Sequence, residues 1–489
     1  MSKWYLSKSK LLSGAQCAKR LYLETHRSEL SEVSVATEQR FDMGHRVGEV
    51  ARTRWPNGIL IQHDTELSQA LRETQKVLAD KAVPALFEST FETDGILVRN
   101  DVLERTGEGM RLVEVKASTS VKDYHYLDMA VQAWVLRQAG MDLTHIELAH
   151  INSEFVYPGN EDYDGLFTFV DIRKEVEARL NDIPELVDRL RKVLADSDEP
   201  DIAIGPHCHD PFECPFLNYC TPPQPDYPVS LLPRGGNVVK ALLADGYRDL
   251  RDVPPGRLPN PLHERVRRVT YSGKPELLPG AKTILEKLPY PRYYMDFETV
   301  QFAVPIWKGT RPYEKLPFQW SCETETVDGS LRHAEFLETE GDAPMEEFCR
   351  TLLGCIGPEG AIFVYNASFE KSVLSSLAQR FPKYAKNLTA MIERIVDLLP
   401  IVREHYYHPA MYGSCSLKVV LPTIAPHLSY GNLGEAQDAG AAPAAYMEII
   451  DRVTPDERRR SLIVDLRRYC EHDTVAMVEL TKFICRSPV

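Results

Sequence analysis

Apolar positions follow two different periods along the chain, and the period indicates the type of each element. Alternating or continuous apolar runs, typical of strands, occur at 96–105, 110–119, 292–300 and 361–368. Apolar residues three and four apart, typical of helices, recur at 128–140, 370–381, 413–422 and 458–484. Strands that alternate with helices predict an α/β fold class.

Proline-rich stretches divide this pattern at 221–233 and 254–261. We therefore expect a first α/β domain at 1–225, a helical connector at 226–288 and a second α/β domain at 289–489. Within the connector, the helical period of VVKALLADGYRDLRDVPP is broken by Gly246 and then by two prolines. A helix-hairpin-helix element and a plain helical linker both fit this segment.

Composition changes the picture in two ways. No apolar run reaches the roughly 18 residues of a membrane span, and the start lacks a secretory signal, so we expect a cytoplasmic protein with no membrane partner. The net charge of −14 argues against coating nucleic acid through bulk positive charge. Local basic clusters are either solvated faces or phosphate contacts: Arg248, Arg251, Arg257, Arg265, Arg267, Arg268, and Arg458, Arg459, Arg460, Arg467, Arg468.

The ten cysteines are expected to be metal ligands or buried thiols, because disulfides are rare without a secretion signal. Cys208, Cys214 and Cys220 lie six residues apart, and Cys17 stands alone near the amino terminus. Zinc sites usually use closer pairs. Four thiolates are the usual ligands of a 4Fe-4S cluster. Unremarkable loop cysteines are the alternative.

A first group of acidic residues lies on the strand pair 96–105 and 110–119. Glu114 and Lys116 are two residues apart and share a strand face, which Asp101 on the partner strand can also reach. Two carboxylates and a lysine suit metal-assisted hydrolysis with Mg²⁺ or Mn²⁺. Alternating Glu and Lys also occur on solvent-facing strands.

A second group begins with Asp296 and Glu298 on an otherwise apolar strand. Burying two like charges together is costly unless a cation compensates, so this pair predicts metal binding. Later acidic candidates are Glu370, Asp397 and Asp473, and Tyr469 shares a helix face with Asp473.

Cys17 in SGAQCAKRL, the later cysteine triplet and the D...ExK residues between them resemble the RecB-like PD-(D/E)XK iron-sulfur nucleases of CRISPR adaptation and of the AddB helicase-nuclease subunit. The resemblance implies a PD-(D/E)XK nuclease fold whose ends are joined by a 4-cysteine 4Fe-4S cluster. It implies that Asp101, Glu114 and Lys116 are catalytic, with Glu88 and Gln132 as possible contributors. The family's early metal-binding histidine is replaced by Gly48, and His45 lies about one helical turn away.

The segments YYMDFETV, YNASFEK and YCEHD resemble the DnaQ-like exonucleases of the DEDD superfamily, tyrosine branch. The resemblance covers most of 289–489 and implies an RNase H-like fold. Two Mg²⁺ or Mn²⁺ ions would be held by Asp296, Glu298, Glu370 and Asp473, with Tyr469 positioning water. The motif normally has aspartate where Glu370 stands, which makes Asp397 a substitute candidate. Lys418 is a possible phosphate contact, and His472 does not occupy the histidine-branch position.

The order of these parts is similar to that of uncharacterised bacterial fusion proteins. We expect an exonuclease that hydrolyses single-stranded DNA ends in repair, processing or defence, cutting from the 3′ end with its second module. The alternatives are an RNA 3′-5′ exonuclease and a nucleic-acid-binding protein with a decayed site. The chain has no phosphate-cradling ATPase loop, so unwinding would need a helicase, repair or defence partner.

Overall fold

The protein is represented by a computed structural model that describes residues 6–32, 35–62, 66–428, 430 and 440–486. The chain divides into two compact units. Unit 1 consists of 1–222 and 302–314, and unit 2 of 223–301 and 315–489. The first boundary thus lies three residues before the expected position, and the connector segment is grouped with unit 2.

In the described part of unit 1, seven strands form a mixed sheet in the order β2-β3-β4-β5-β6-β7, with β1 paired to β4. Pairs β1·β4, β2·β3 and β5·β6 are parallel, and the others are antiparallel. The strands are β1 (Leu6–Ser7), β2 (Ile59–Leu60), β3 (Ala85–Thr93), β4 (Ile96–Arg105), β5 (Met110–Lys116), β6 (Leu143–Ile151) and β7 (Phe167–Asp171).

Helices accompany this sheet in the described part of unit 1, and several of them pack against its strands. They are α1 (Lys8–Gln16), α2 (Ala18–His26), α3 (Val35–Arg52), α4 (Leu67–Ala79), α5 (Asp123–Gln138), α6 (Arg173–Glu177), α7 (Ile183–Ala195) and α8 (Leu217–Cys220). Helix α5 is the crossover between the parallel strands β5 and β6, which need a long connection. Its middle, from Asp128 to Ala133, is buried, and this places polar residues of the helix against the strands.

Segment 302–314 leaves unit 2 and completes a hydrophobic cluster of unit 1. Ala303 and Val304 pack with Val47, Ile151 and Phe155 in this cluster. The backbone amide of Tyr157 donates to the carbonyl of Thr310 at 3.0 Å, and the Tyr313 hydroxyl donates to the carbonyl of Ala117. The segment is therefore part of the unit 1 core and not a surface loop.

The described part of unit 2 contains a five-stranded sheet in the order β11-β10-β9-β12-β13, with β12 parallel to both neighbours and the other pairs antiparallel. A two-stranded antiparallel sheet joins β8 and β14. The strands are β8 (Glu276–Leu277), β9 (Arg292–Val300), β10 (Leu316–Glu325), β11 (Leu331–Leu337), β12 (Ala361–Val364), β13 (Ile395–Asp397) and β14 (Tyr406–Tyr407).

The helices of unit 2 are α9 (Gly236–Ala244), α10 (Pro261–Ser272), α11 (Gly280–Glu286), α12 (Met345–Cys355), α13 (Ser368–Arg380), α14 (Pro382–Glu393), α15 (Leu398–His405), α16 (Leu417–Ile424), α17 (Ala441–Ile450) and α18 (Asp456–Arg486). The period of two sends the side chains of β9 to two faces. Phe297 packs on Phe348 of α12 with ring centroids 5.0 Å apart. The Tyr294 hydroxyl, on the other face, lies 2.9 Å from Thr481 Oγ1 of α18.

The mixed α/β character is confirmed, and each predicted segment contains an element of the expected type, although 361–368 is a strand only as far as Val364 and 413–422 is helical only from Leu417. The stretches expected to be strands form β4, β5, β9 and β12, and the helical stretches form α5, α13, α16 and α18. The helical period of the connector becomes α9, which ends two residues before Gly246. Within the described residues, no helix has the length and apolarity needed to cross a bilayer.

The arginines of 248–268 are largely committed to carboxylates inside unit 2. Arg257 pairs with Asp245, Arg267 with Glu264, and both Arg265 and Arg268 with Glu276. Arg251 reaches two aspartates, Asp226 at 3.1 Å and Asp249 at 2.8 Å. These partners neutralise most of the positive charge that the sequence concentrates there.

Candidate metal centres

The four cysteines singled out in the sequence line one cavity. Cys17 lies at the junction of α1 and α2, Cys208 and Cys214 are buried, and Cys220 ends the short helix α8. All ten cysteines of the chain are free thiols. No three of the four sulfurs come within 4.8 Å of one another in the described structure. A tetrahedral zinc site needs sulfurs about 3.8 Å apart, because each Zn–S bond is about 2.3 Å.

Gln16 ties the cysteine loop to the amino-terminal helices. Its side-chain Nε2 donates to the carbonyl of His207 and to that of Phe212, each at 2.7 Å. These carbonyls directly precede Cys208 and stand two residues before Cys214, while Gln16 itself precedes Cys17. One amide side chain therefore fixes the spacing of three of the four thiols.

Glu88, Asp101 and Glu114 lie in one row across three neighbouring strands. The β3–β4 ladder pairs Phe87 with Val102 and Ser89 with Asn100, so Glu88 lies opposite Asp101 between these two pairs. The backbone of Glu88 has a positive φ of 54°. Continuing the β4–β5 register past its last pair, Val102 with Val113, places Asp101 opposite Glu114. Adjacent strands thus hold the three carboxyl groups near one another, although they do not converge within 4.8 Å.

Helix α5 adds two polar side chains to this row from one of its faces. Gln132 Nε2 donates to Glu114 Oε2 at 2.7 Å and to Asp128 Oδ1 at 2.9 Å. Its carbonyl oxygen accepts from Asn100 Nδ2 at 2.7 Å. Glu114, Asp128, Gln132 and Asn100 are all at least 97% buried. Buried polar groups satisfied in this way hold a single arrangement.

Two lysines neutralise the two buried carboxylates. Lys116 Nζ lies 2.6 Å from Glu114 Oε1 and 2.8 Å from Asp128 Oδ2. Lys8, in the first turn of α1, lies 2.9 Å from the same Glu114 oxygen and 3.0 Å from Asp128 Oδ1. The lysines hold the pKa of Asp128 below its usual range, although burial acts in the opposite direction.

Asp101 makes no ion pair with Lys8 or Lys116 among the described residues, in contrast to Glu114 and Asp128. Burial and the charge of Glu114 raise the pKa of Asp101 to about 7, and its Oδ2 accepts from the backbone amide of Val115 at 2.7 Å. Burial also raises the pKa of Glu88. Perturbed carboxyl groups of this kind are frequent at functional sites. His45 is exposed on α3, and Gly48 on the same helix brings no ligand atom.

The second acidic group converges closely. One carboxylate oxygen each from Asp296, Glu298 and Asp473 lies within 4.8 Å of the other two. Asp296 and Glu298 share a face of β9, and Asp473 projects from α18, which Ser321 fastens to the sheet through a 3.1 Å contact between its Oγ and Thr474 Oγ1. Sheet and helix are thus fixed together directly beside the carboxylates.

Mutual repulsion is strong in this group. Burial and the charge of Asp473 raise the pKa of Glu298 to about 8 and raise that of Asp296 well above its usual range. Burial raises the pKa of Asp473 to about 6, against the effect of a hydrogen bond from Tyr430. A divalent cation among these oxygens would reverse the repulsion. Three oxygen donors of this kind fit Mg²⁺ or Mn²⁺.

Two tyrosines and a lysine border the carboxylates. The hydroxyl of Tyr430 donates to Asp473 Oδ1. Tyr469 lies one turn before Asp473 on α18 and is buried. Lys418 of α16 places its Nζ 5.4 Å from the centroid of the Tyr430 ring and 5.0 Å from that of Tyr469. The ammonium group of Lys418 thus lies beside the acidic group, at a position from which it could contact a phosphate.

Glu370 and Asp397 have different environments. Glu370, in the first turn of α13, is 2% exposed, and its Oε2 makes no hydrogen bond to any described residue. Burial raises its pKa to about 8, and it lies outside the 4.8 Å group. Asp397 instead accepts from the backbone amides of Asn366, Ala367 and Leu399, at 2.9, 3.0 and 3.0 Å. This geometry favours Glu370 as the free carboxylate and gives Asp397 a structural role.

Some contacts of the sites were not inferred from the sequence. Lys8 and Tyr430 lie far in the chain from the carboxylates that they contact, and Asn100 and Asp128 were not singled out. For Asp128 one signal existed, because it stands four residues before Gln132 on the same helix face. The Cys470 thiol, expected only to be buried, also lies 3.6 Å from Asp296 Oδ2.

Comparison with known proteins gives a partial match. A family model described as a domain of unknown function, DUF2779, matches residues 293–416. An uncharacterised protein from Mycoplasma pneumoniae is 25% identical over 230 residues, which is 42% of this chain and 33% of that protein. Uncharacterised proteins from Mycoplasma genitalium and Ureaplasma parvum are 22% and 24% identical over the same shares of the two chains. The chain thus spans about a third of the length of these relatives.

Proposed function

We propose that the protein is a metal-dependent nuclease whose second unit, a DnaQ-like exonuclease module, hydrolyses single-stranded DNA from the 3′ end. The observation that carries this proposal is the convergence of Asp296, Glu298 and Asp473 within 4.8 Å. Asp296, Glu298 and Asp473 would hold Mg²⁺ or Mn²⁺, with Glu370 as a further ligand. When bound, the metal ion activates water and offsets charge on the scissile phosphate and the leaving oxygen.

The surrounding side chains have separate tasks in this scheme. Tyr430 holds Asp473 in one rotamer by donating its hydroxyl hydrogen to Oδ1. Lys418 brings a positive charge to the border of the acidic group, where it would attract a phosphate. The Tyr469 hydroxyl would orient the attacking water. Together they would place donors around a phosphate before reaction, which is the main electrostatic requirement of phosphoryl transfer.

We propose that unit 1 is a PD-(D/E)XK nuclease module of the RecB-like type. The row of Glu88, Asp101 and Glu114 and the ammonium group of Lys116 support this proposal. In unit 1, Asp101 and Glu114 would bind the metal ion, and Lys116 would stabilise developing negative charge. Lys8 supplies a second ammonium group that holds Glu114 in place.

We also propose that Cys17, Cys208, Cys214 and Cys220 hold a 4Fe-4S cluster. The shared cavity supports this ligand set, and four thiolates are the usual ligands of such a cluster. The cluster would join α2 to the loop after α7 and so stabilise the two ends of the unit.

The test uses the full chain, purified without oxygen and assayed on matched 3′- and 5′-labelled DNA and RNA strands. We expect Mg²⁺- or Mn²⁺-dependent loss of nucleotides from the 3′ end of DNA, abolished by Asp296→Asn. Asp101→Asn isolates the contribution of unit 1. Equal activity of the Asp296→Asn and Asp101→Asn variants and the natural chain would refute the proposal. Faster hydrolysis of RNA would favour the RNA exonuclease alternative, because this chemistry acts on the phosphate and does not require a particular sugar.

A further inference from the structure

A second set of metal-ligand side chains lies elsewhere in unit 2. Glu323 of β10, His333 of β11 and Glu471 of α18 each place one ligand atom within 4.8 Å of the other two. None of them belongs to the Asp296, Glu298 and Asp473 group. The set combines two carboxylates with one imidazole, whereas the other group offers carboxylates alone.

The fold holds these three side chains in register. Glu323 and His333 are directly paired in the antiparallel ladder, and such partners have Cβ atoms about 5 Å apart. The face of β10 that carries Glu323 also carries Gln319, whose Nε2 donates to the carbonyl of Leu466 at 2.9 Å. That hydrogen bond fixes α18 along the strand, and Glu471 follows Leu466 by little more than one turn.

Negative charge exceeds positive charge around the imidazole. His333 Nδ1 lies 3.0 Å from Glu323 Oε1, and Glu335 Oε2 lies 3.9 Å from Nε2. Arg467 offers a guanidinium group 3.3 Å from Glu335. Three carboxylates therefore lie near one arginine and one histidine. The net charge of this group stays negative even when the imidazole ring of the histidine is protonated.

One ring nitrogen makes no hydrogen bond to the part of the chain that the structure describes. His333 Nε2 is buried, and the nearest carboxylate oxygen, Glu335 Oε2 at 3.9 Å, is too far for one, although buried polar atoms are nearly always satisfied. A metal ion would use both the excess negative charge and an imidazole lone pair. One nitrogen with two carboxylate oxygens suits Zn²⁺ or Mn²⁺, whereas Mg²⁺ prefers oxygen alone.

We propose that Glu323, His333 and Glu471 bind a single transition-metal ion, with Zn²⁺ as the best match, at the edge of the unit 2 sheet. The bound ion fastens α18 to strands β10 and β11. Glu471 stands midway between Tyr469 and Asp473 in the chain, so the ion also fixes the rotation of the turn that carries them. This second role rests on the proposed nuclease function, but the binding of the ion does not.

The test counts zinc bound per chain. The full chain and the variants His333→Gln, Glu471→Gln and His45→Gln are stripped with a chelator, titrated with Zn²⁺ and washed, and their zinc is measured. We expect one equivalent fewer in His333→Gln and Glu471→Gln, and no change in His45→Gln, whose side chain is exposed on α3. The cysteine set and the other acidic group contribute equally to all four proteins. Circular dichroism checks that each variant is folded.

Equal zinc content in the natural chain and Glu471→Gln would overturn the proposal. The contact between Glu323 and His333 would then be an ion pair and not part of a metal site. Glu471 is the safer of the two ligand variants, because removing one glutamate from a long helix leaves the ladder pair intact. A zinc difference in a chain without nuclease activity would support the metal site and refute the proposed function. Active nuclease with no zinc difference would refute the metal site alone.

Discussion

Replacing Glu298 with glutamine should stabilise the metal-free protein while it removes the proposed activity. Its carboxylate lies on β9 with Asp296 and faces Asp473, and burial together with these charges raises its pKa to about 8 from its ordinary value of 4.5. A carboxyl group whose folded pKa is raised favours unfolding once the solution pH exceeds its unfolded pKa. Glutamine has nearly the same shape and carries no charge.

The magnitude follows from the pKa shift. Between the unfolded pKa of Glu298 and pH 7.5 the destabilisation of the folded state grows over about three pH units. At about 1.36 kcal/mol per unit this amounts to roughly 4 kcal/mol. Glu298 keeps some contact with solvent, which screens part of the repulsion, so we expect a gain of about 2 kcal/mol. For a unit of this size that gain raises Tm by roughly 4–8 °C. The gain should fade toward pH 4.5 and be complete above pH 8.

The assay compares the thermal unfolding of the natural chain, Glu298→Gln and Glu359→Gln, first with a chelator and then with Mg²⁺. Glu359 is exposed, so its variant controls for the loss of one negative charge. Mg²⁺ should stabilise the natural chain and the control, because ligands that bind the folded state raise its stability, but not Glu298→Gln. A lower Tm of Glu298→Gln in chelator, or an equal response to Mg²⁺, would refute the reasoning.

Three further changes have expected outcomes. Lys8→Met leaves Glu114 and Asp128 with one ammonium group, and we expect it to lower the free energy of unfolding in urea by about 3 kcal/mol. The control is Lys81→Met, whose lysine is exposed and should change stability by less than about 0.5 kcal/mol; equal losses would contradict this. Gln16→Leu removes two hydrogen bonds near the cysteines, about 2 kcal/mol, and should lower bound iron and sulfide per chain; unchanged iron content would show that these bonds are dispensable. Asp397→Ala frees three backbone amides beside Glu370 and should reduce kcat on single-stranded DNA on the order of 100-fold, with unchanged kcat as the contrary result.

Local pattern was enough to predict the elements that carry the sites. The period of two in 96–105, 110–119 and 292–300 identifies strands and also the face on which Asp101, Glu114 and Glu298 lie. These predictions depend on neighbouring residues only.

Contacts between distant segments could not be predicted in the same way. Lys8 and Glu114 are 106 residues apart, and Tyr430 and Asp473 are 43 apart, so no periodicity relates them. The backbone role of Asp397 depends on β12 and β13 being parallel neighbours, which sets its carboxylate beside Asn366 and Ala367. A single sequence does not distinguish an aspartate that binds backbone amides from one that binds a metal ion.

The route of residues 302–314 limits how the protein can be divided. A fragment that ends near residue 225 would lack Ala303 and Val304 and would expose the apolar surface that they cover on Val47 and Ile151. A fragment that starts near residue 289 would carry the same apolar stretch with nothing to bury it. We therefore expect either half to aggregate when it is expressed alone. The activities of the two units are better separated by point substitutions than by truncation.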